Sequence, residues 1–355
     1  ELSYVDHTLT QRRVVLALSN LTQSPELRKQ LLSLSPMKYI ISLATKPDEN
    51  LRRGCVSIVC NLSYEKGAEK SIMKSGIIPT LLVTAIVTSD KIQSKIICAK
   101  ALVNIMADSS LHKEMVDKGV VWALSTLALL EVDQALTKAR ELSADGREES
   151  GMVEVSGDPE LLKLCLNAMC ILSNKFAQQI LRLSTAVKAI IYAIRYYSFD
   201  LEVMIVGGRT LVNLLLQTTE KDEGFRKSAV ANMTNLVQCK NDEVSEISIL
   251  CLCVASQSES CREVIVSNNM LKKIDVSTIF SKEHVSFAYL TMFGNIANNP
   301  SMRSKVLDPH CLSRFAHIAL SANQELDKAV TRALYCLSCA SENLLHITKY
   351  THSIG

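Results

Sequence analysis

The chain has 355 residues, 48% of them hydrophobic, with 12 glycines, 7 prolines and a formal net charge of only +3. This near balance of charge argues against a protein that binds a polyanion, so no nucleic-acid partner is predicted. The longest nearly unbroken apolar run, residues 76–88, is shorter than the ~20 residues that a membrane-spanning helix needs, so no membrane span is predicted.

Eight short segments recur along the chain, each an apolar approach to an asparagine or to a residue in its place. In chain order they are ALSNLT around Asn20, IVCNLS around Asn61, ALVNIM around Asn104, ILSNKF around Asn174, TLVNLL around Asn213, CLCVAS around Cys253, MFGNIA around Asn295 and CLSCAS around Cys339. The successive spacings are 41, 43, 70, 39, 40, 42 and 44 residues. A period in the forties is typical of stacked helical repeats, so the pattern predicts an all-α solenoid of about eight units.

Turn residues between these segments divide each unit into helices. Gly76 and Pro79 introduce one apolar run and Gly119 introduces another, as expected where a chain turns sharply and restarts. A residue suited to capping a helix, such as Asp48 or Asn241, then precedes the next Asn segment. Each unit is therefore predicted to contain a short first helix, a longer second helix and a longer third helix that carries the Asn.

The one long interval, between Asn104 and Asn174, contains extra sequence at residues 131–158. This segment has eight acidic and three basic residues and no sustained apolar stripe. Such a composition is typical of solvated chain, so we expect a disordered insertion within the fourth repeat. The alternative is a regulatory segment that folds back on a basic groove or recruits a partner.

The unit resembles that of the armadillo-repeat family. The features that carry the resemblance are the forty-odd-residue period, the Gly-Ile-Ile-Pro corner at 76–79 and the Ala-Leu-x-Asn-Leu type of ending of the third helix. The resemblance extends over residues 1–350 and weakens at Cys253 and Cys339, where cysteine replaces the asparagine. It implies a right-handed superhelical solenoid whose third helices line a concave groove.

The resemblance also implies a role for the asparagines of the third helices. In the family these side chains hold the backbone of an extended partner in the groove. The residues expected to do so here, with some serving only as helix-to-helix bonds, are Asn20, Asn61, Asn104, Asn174, Asn213 and Asn295.

Basic residues recur on the third helices ahead of the asparagines. Lys100 and Arg209 stand four residues before theirs, and Arg12 and Arg53 stand one helical turn further back. A basic stripe of these four residues would attract an acidic, extended partner segment. The alternative is a solvated helix surface whose cations only keep the protein soluble.

The sequence departs from the importin-α-like members of the family at one recurrent position. Those members repeatedly carry Trp four residues before the Asn, whereas the one Trp of this chain, Trp122, falls in a second helix. This difference argues against a nuclear-import receptor of that type.

No residue set in the sequence has the spacing of a catalytic or metal site. Cys336 and Cys339 form a lone CxxC pair, and a structural zinc site requires four convergent ligands. The 12 cysteines lie mostly in apolar helical sequence, which indicates buried free thiols in a reducing compartment. The sequence therefore predicts a protein that is not an enzyme and that uses neither metal nor cofactor.

We expect a single solenoid over residues 1–355 that acts as a scaffold or adaptor for other proteins in the cytoplasm. One alternative is a structural component of a large cytoskeletal or ciliary assembly, and a nuclear location remains open. Another alternative is a transport cargo adaptor without the importin-type Trp array. Neither end has a polar cap, which predicts that the protein continues beyond both.

Overall fold

The computed structural model describes residues 8–87, 92–144, 159–274, 279–280, 282–307, 309–320, 323–341, 343–344 and 347–348. Regular secondary structure in these residues is helical throughout, without a strand. The chain divides into two compact units, Glu1–Ala189 and Ile190–Gly355, and each is described by itself.

The first unit contains short and long helices in alternation. They are α1 (Thr8–Leu21), α2 (Pro25–Ser33), α3 (Met37–Ala44), α4 (Glu49–Ser63), α5 (Glu69–Lys74), α6 (Ile78–Val87), α7 (Ile92–Ile105), α8 (His112–Asp117), α9 (Val120–Ala144) and α10 (Glu160–Leu181). Helix α11 (Ser184–Tyr196) spans the boundary between the units.

The second unit continues the same alternation. Its helices are α12 (Leu201–Leu216), α13 (Glu223–Ala231), α14 (Thr234–Gln238), α15 (Asp242–Ala255), α16 (Glu259–Ser267), α17 (Met270–Lys273), α18 (Glu283–Ala297), α19 (Arg303–Val306), α20 (Pro309–Ala319) and α21 (Gln324–Ser338).

The recurrent segments all lie on long helices, which are the predicted third helices. In the first unit, α1 packs on α4, α4 on α7 and α7 on α10. In the second unit, α12, α15, α18 and α21 pack in the same successive way. Second helices such as α3, α6 and α20 pack against the third helix that follows them, so within each unit the third helices form a layer that the second helices support.

Local sequence accounts for where these helices begin. Asp48 accepts a hydrogen bond from the backbone N of Leu51 at 2.9 Å, and Asn241 caps α15 in the same manner. Gly76 and Gly119 have positive φ angles of 78° and 83°, which side chains other than glycine rarely adopt. The predicted corners before the second helices are therefore left-handed glycine turns.

The cysteines contribute mainly to the apolar core. Cys55 and Cys98 are almost fully buried, and desolvation raises the pKa of each thiol to about 12. Buried Cys336 donates to Asn298 Oδ1, whereas Cys339 is exposed. No group of three or more metal-ligating side chains occurs in the described part of the chain. The two thiols of the CxxC pair thus have different surroundings.

Helix α9 corrects the prediction of a disordered insertion over 131–158. The helix continues to Ala144, so the first half of that segment is helical, while residues 145–158 lie outside the described residues. Val132 and Leu136 are buried and lie one helical turn apart, and α9 packs on α10. The acidic composition concealed this short apolar stripe.

Helix α9 also has the length and composition of a possible membrane span. Among the described residues, the one window of this kind is Val120–Thr137, and 50% of it is buried inside the structure. It packs on α6 and α10 within the first unit, as a core helix does. A buried core helix of a water-soluble protein meets the same two criteria, so the window is weak evidence for a span.

Candidate partner-binding groove

A groove of about 730 Å³ lies on the third helices α1, α4 and α7 of the first unit. Its walls combine aliphatic side chains with hydroxyl, amide and guanidinium groups. The lining residues are Arg12, Val15, Leu16, Ser19, Asn50, Arg53, Gly54, Ser57, Ile92, Gln93, Ser94 and Ile97.

The wall between α1 and α4 depends on a glycine. A Cβ atom at Gly54 would lie 2.2 Å from Val15 Cγ1, so only glycine allows the two helices to approach so closely here. One turn further along, the Ser19 hydroxyl donates to Ser57 Oγ at 3.1 Å across the same contact. Small residues at this contact therefore position the groove.

Apolar side chains are exposed on both sides of the groove. Leu16 on α1 has 62% of its surface exposed and Ile92 on α7 has 44%. Exposed aliphatic surface of this kind favours contact with an apolar side chain of a ligand. Leu16 stands four residues before Asn20, the position at which the sequence lacks the importin-type Trp.

Two of the four predicted basic residues, Arg12 and Arg53, line this groove. Arg12 Nε donates to Asp48 Oδ2 at 3.0 Å, and this bond holds the pKa of the Asp48 carboxyl below its ordinary value. Arg53 Nη2 has a long contact of 3.4 Å with Asn50 Oδ1 and no carboxylate partner among the described residues. Arg53 is therefore the cation of this groove whose charge is not compensated.

The other two predicted basic residues pair with acids at the start of the next third helix. Lys100 Nζ lies 2.6 Å from Glu160 Oε1, and this hydrogen bond raises the lysine pKa. In the second unit, Arg209 Nη2 lies 2.6 Å from Glu243 Oε1. Neither residue lines the groove. The structure thus brings Arg12 and Arg53 together and places Lys100 and Arg209 elsewhere.

The predicted stripe is for the most part a series of lateral ion pairs between successive third helices. The second unit contains a pair of reversed sign, in which Lys282 Nζ donates to Glu246 Oε2 at 2.8 Å. The partners lie 34 to 36 residues apart in the pairs that do not span the insertion. Opposite charges at this separation, slightly shorter than the repeat, are a signal in the sequence that could have revealed the pairs.

Asparagines of the third helices form bonds between successive repeats. In each case the side-chain Nδ2 donates to a hydroxyl near the end of the preceding third helix. The bonds of this kind between described residues are Asn61 to Thr22 Oγ1 at 3.0 Å, Asn104 to Ser63 Oγ at 3.0 Å and Asn295 to Ser256 Oγ at 2.9 Å. The Oδ1 atoms of these asparagines accept no hydrogen bond from any described residue.

The remaining predicted asparagines have other surroundings. Asn174 is exposed, and its Nδ2 makes long contacts with two carbonyl oxygens of its own helix, the shorter being 3.4 Å to Ile171 O. Asn20 is exposed near the end of α1, and Asn213 is half-buried on α12. The structure therefore does not give the six asparagines one common arrangement.

The bond from Asn295 also corrects the repeat alignment. Its acceptor Ser256 corresponds to Thr22 and Ser63, which stand two residues after their asparagines. Val254, and not Cys253, is therefore the residue in the Asn position of the sixth segment. With this change the two flanking spacings both become 41 residues. The alanine in CLCVAS occupies the place of the usual leucine, which hid the correct register.

A second recurrent contact was not predicted from the sequence. In four repeats of the described chain, the basic residue eight positions after the Asn position forms a side-chain hydrogen bond with the backbone carbonyl oxygen of the residue two positions after the Asn position. The contacts are Arg28 Nη1 to Thr22 O at 3.2 Å, His112 Nε2 to Met106 O at 2.8 Å, Arg262 Nη1 to Ser256 O at 3.1 Å and Arg303 Nε to Ala297 O at 2.7 Å. Such donors satisfy carbonyl groups that the end of a helix leaves without partners.

Comparison with known proteins supports the repeat architecture. No protein-family model and no curated protein sequence matches the chain. Among solved structures, a designed armadillo repeat protein is 14% identical with a TM-score of 0.54, over 73% of this chain and 99% of its own. Computationally designed armadillo repeat proteins for modular peptide recognition match at 15% identity and a TM-score of 0.56, with the same coverage.

A further solved structure is a designed armadillo repeat protein in complex with the peptide (KR)4. It is 16% identical to this chain with a TM-score of 0.54, and it covers 73% of this chain and 99% of its own. At such identities the similarity concerns the fold alone. Together with the packed third helices and their asparagine bonds, it identifies the chain as an all-α solenoid of the armadillo-repeat type.

Proposed function

We propose that the protein is a non-enzymatic scaffold or adaptor that binds an extended segment of a partner protein. The observation that carries this proposal is the groove on α1, α4 and α7, with exposed Leu16 and Ile92 beside the Arg53 guanidinium. An extended segment can place alternate side chains against such a surface while its backbone contacts polar groups.

The proposal that the partner is acidic is supported by fewer unpaired cations than the sequence predicted. Arg12, Lys100 and Arg209 already pair with carboxylates of this chain. Exposed ion pairs of this kind contribute little free energy, and a strongly acidic ligand could compete for them. Arg53 is the groove residue that can receive an acid without displacing another one.

The bonds of Asn61, Asn104 and Asn295 to the preceding third helix, here called the asparagine ladder, support the capture of a partner backbone. Asn61 and Asn104 use their nitrogens for bonds within the chain, so the ladder fixes the direction of each amide. Their Oδ1 atoms can then accept N–H groups from an extended ligand. We propose a cytoplasmic location, because most of the cysteines are buried thiols that form no disulfide, as is usual in a reducing compartment.

Selection from a displayed library of random linear peptides tests this function. We compare the wild type with Leu16→Glu in the groove and with Leu34→Glu as the matched control. Leu34 is 73% exposed and does not line the groove, so both substitutions place a carboxylate on an exposed leucine. We expect the wild type and Leu34→Glu to select the same peptides, and Leu16→Glu to lose them.

Circular dichroism must first show that both variants are folded. Retention of the selected peptides by folded Leu16→Glu would contradict binding in this groove. A failure of the wild type to enrich any linear peptide would contradict the proposed mode of recognition.

A further inference from the structure

The groove contains a buried hydroxyl group that has no hydrogen-bond partner. Ser94 lies in the first turn of α7, lines the groove and is 1% exposed, and its Oγ atom has no partner among the described residues. A buried polar atom without a partner destabilises the fold, because it has given up its bonds to water. Such an atom on the wall of a groove therefore points to a ligand that supplies the missing bond.

The guanidinium of Arg53 lines the same groove. Its contact with Asn50 Oδ1, at 3.4 Å, is too long to satisfy a cation. The neighbouring cation, Arg12, is neutralised by Asp48. One uncompensated positive charge and one unsatisfied hydroxyl thus line the same groove between two aliphatic surfaces, Leu16 on α1 and Ile92 on α7.

We propose that this groove recognises an internal segment of a partner protein with an apolar–acidic–apolar pattern. The inference rests on the proposed function and adds the chemistry of the ligand. The Asp or Glu side chain of the segment accepts bonds from the Arg53 guanidinium and the Ser94 hydroxyl. One flanking apolar side chain packs on Val15 and Leu16, and the other packs on Ile92 and Ile97.

The charge count favours a carboxylate over a phosphate group. A phosphorylated side chain carries about −1.5 to −2 charges and is usually held by a cluster of arginines. Among the described residues that line this groove, Arg53 is the single free cation, because Arg12 is paired with Asp48. One guanidinium matches one carboxylate in both charge and geometry.

The distance between neighbouring third helices determines how many residues separate the acidic side chain of the ligand from each flanking apolar side chain. Packed helices lie about 8–10 Å apart, and Arg53 is on α4, the middle helix of the three. An extended chain advances about 3.3 Å per residue, so adjacent contacts should be about two or three residues apart. Because the groove contacts side chains on both sides of the acid, an internal residue fits it and a chain terminus does not.

The test uses synthetic linear peptides titrated against the whole chain by fluorescence anisotropy. The probe has a central glutamate and a leucine two or three positions away on each side. Companion peptides replace the glutamate by glutamine or phosphoserine, or both leucines by serine. The protein variants are Arg53→Gln, Ser94→Ala and, as the matched control, Arg13→Gln, an exposed arginine of α1 that does not line the groove.

We expect Arg53→Gln to weaken binding of the glutamate probe by about tenfold or more and Ser94→Ala by about threefold, with Arg13→Gln unchanged. Neither groove substitution should change the affinity for the glutamine companion. Ser94→Ala should also leave the thermal midpoint unchanged or raise it, because it removes an unsatisfied buried hydroxyl. A residue that served only the fold would lower the midpoint.

Specific results would overturn the proposal. Equal affinity for the glutamate and glutamine peptides would exclude a carboxylate site, and tighter binding of the phosphoserine peptide would replace it by a phosphate site. If these peptides still lose affinity with Leu16→Glu, the proposed function stands and only the ligand chemistry is wrong. If library selection gives no groove-dependent peptide either, the proposed function itself fails.

Discussion

Individual side chains hold successive third helices together in this protein. Asn104 donates to the Ser63 hydroxyl, which itself donates to the carbonyl oxygen of Cys60. Ser63 is therefore satisfied both as donor and as acceptor although it is buried. The same arrangement occurs at Asn61 and Thr22, whose hydroxyl donates to the carbonyl oxygen of Ser19, and it accounts for the hydroxyl residues that stand two positions after Asn20 and Asn61.

A double-mutant cycle tests the Asn104–Ser63 bond. We expect Asn104→Ala and Ser63→Ala each to lower the free energy of unfolding by about 1–2 kcal/mol, with a coupling of about 0.5–1 kcal/mol, because both remove the same bond. Urea unfolding gives the four values. The control Asn167→Ala, at an exposed position of α10, should change stability by less than about 0.5 kcal/mol. Strict additivity of the two substitutions would show that the bond contributes no stability.

Close packing between helices depends on glycine at only some positions. A Cβ at Gly54 would overlap Val15, whose β-branched side chain is short and buried. At Gly294 in α18, by contrast, an added Cβ would meet no atom within 4 Å. Both glycines lie within third helices, and only the side chains packed around them in the fold distinguish the two positions.

We expect opposite effects when these glycines are replaced by alanine. Gly54→Ala should destabilise the protein by about 1–3 kcal/mol, because α1 or Val15 must move. Gly294→Ala should stabilise it by about 0.5–1 kcal/mol, because alanine is the better helix former and the space is free. Thermal and urea unfolding of both variants provide the measurement. Similar effects at both positions would show that helix propensity, and not packing, decides.

The extension of helix α9 contains a partly buried acid, Glu131. Desolvation raises the pKa of its carboxyl, and the attraction of Lys95 opposes this shift without cancelling it. A group whose pKa is raised in the folded state favours folding while it is protonated. Its contribution is fully present below the pKa of the unfolded chain and is lost as pH rises through the folded-state pKa.

Glu131→Gln tests this pH dependence, because glutamine imitates the protonated acid. We expect the variant to be more stable than the wild type near neutral pH, and the difference to disappear below about pH 4, where the glutamate is protonated in both states. Urea unfolding at the two pH values provides the measurement. A variant that is less stable at neutral pH would show that the Lys95 attraction outweighs desolvation.

Most of the recurrent cations predicted on the third helices are paired with carboxylates of the same chain. Arg12 and Lys100 in the first unit pair with acids of the chain. Long-range attraction of an acidic partner therefore depends on few free cations, and such attraction is what salt screens.

We expect weak salt dependence for the binding of an acidic peptide to the wild type. Its affinity should fall by less than about tenfold between ~0.05 M and ~0.5 M salt. The double variant Asp48→Asn, Glu160→Gln releases Arg12 and Lys100, so its affinity should fall more steeply. Asparagine is as good an N-cap residue as aspartate, so Asp48→Asn should remove the charge without destabilising the start of α4. Identical salt dependence would mean that neither ion pair persists in solution.

Much of the architecture follows from the sequence. A period near 41 residues and turn residues such as Gly76 require helices that stack, because one unit cannot bury its own apolar face. The same pattern located the third helices and the asparagines that connect them. Two local details were wrong, the register at Val254 and the start of the insertion, because a short apolar stripe and a degenerate repeat are hard to distinguish from background.

The properties of the groove were decided by the tertiary structure. Spacing along the chain showed that Arg12, Arg53 and Lys100 recur, but not that Asp48 and Glu160 lie opposite two of them. Periodicity along one helix fixes which face a residue occupies, whereas its partner comes from a helix a whole repeat away. Whether a cation is free or paired, and whether Ser94 is satisfied, are therefore properties of contacts between repeats, which appear only when the helices are packed.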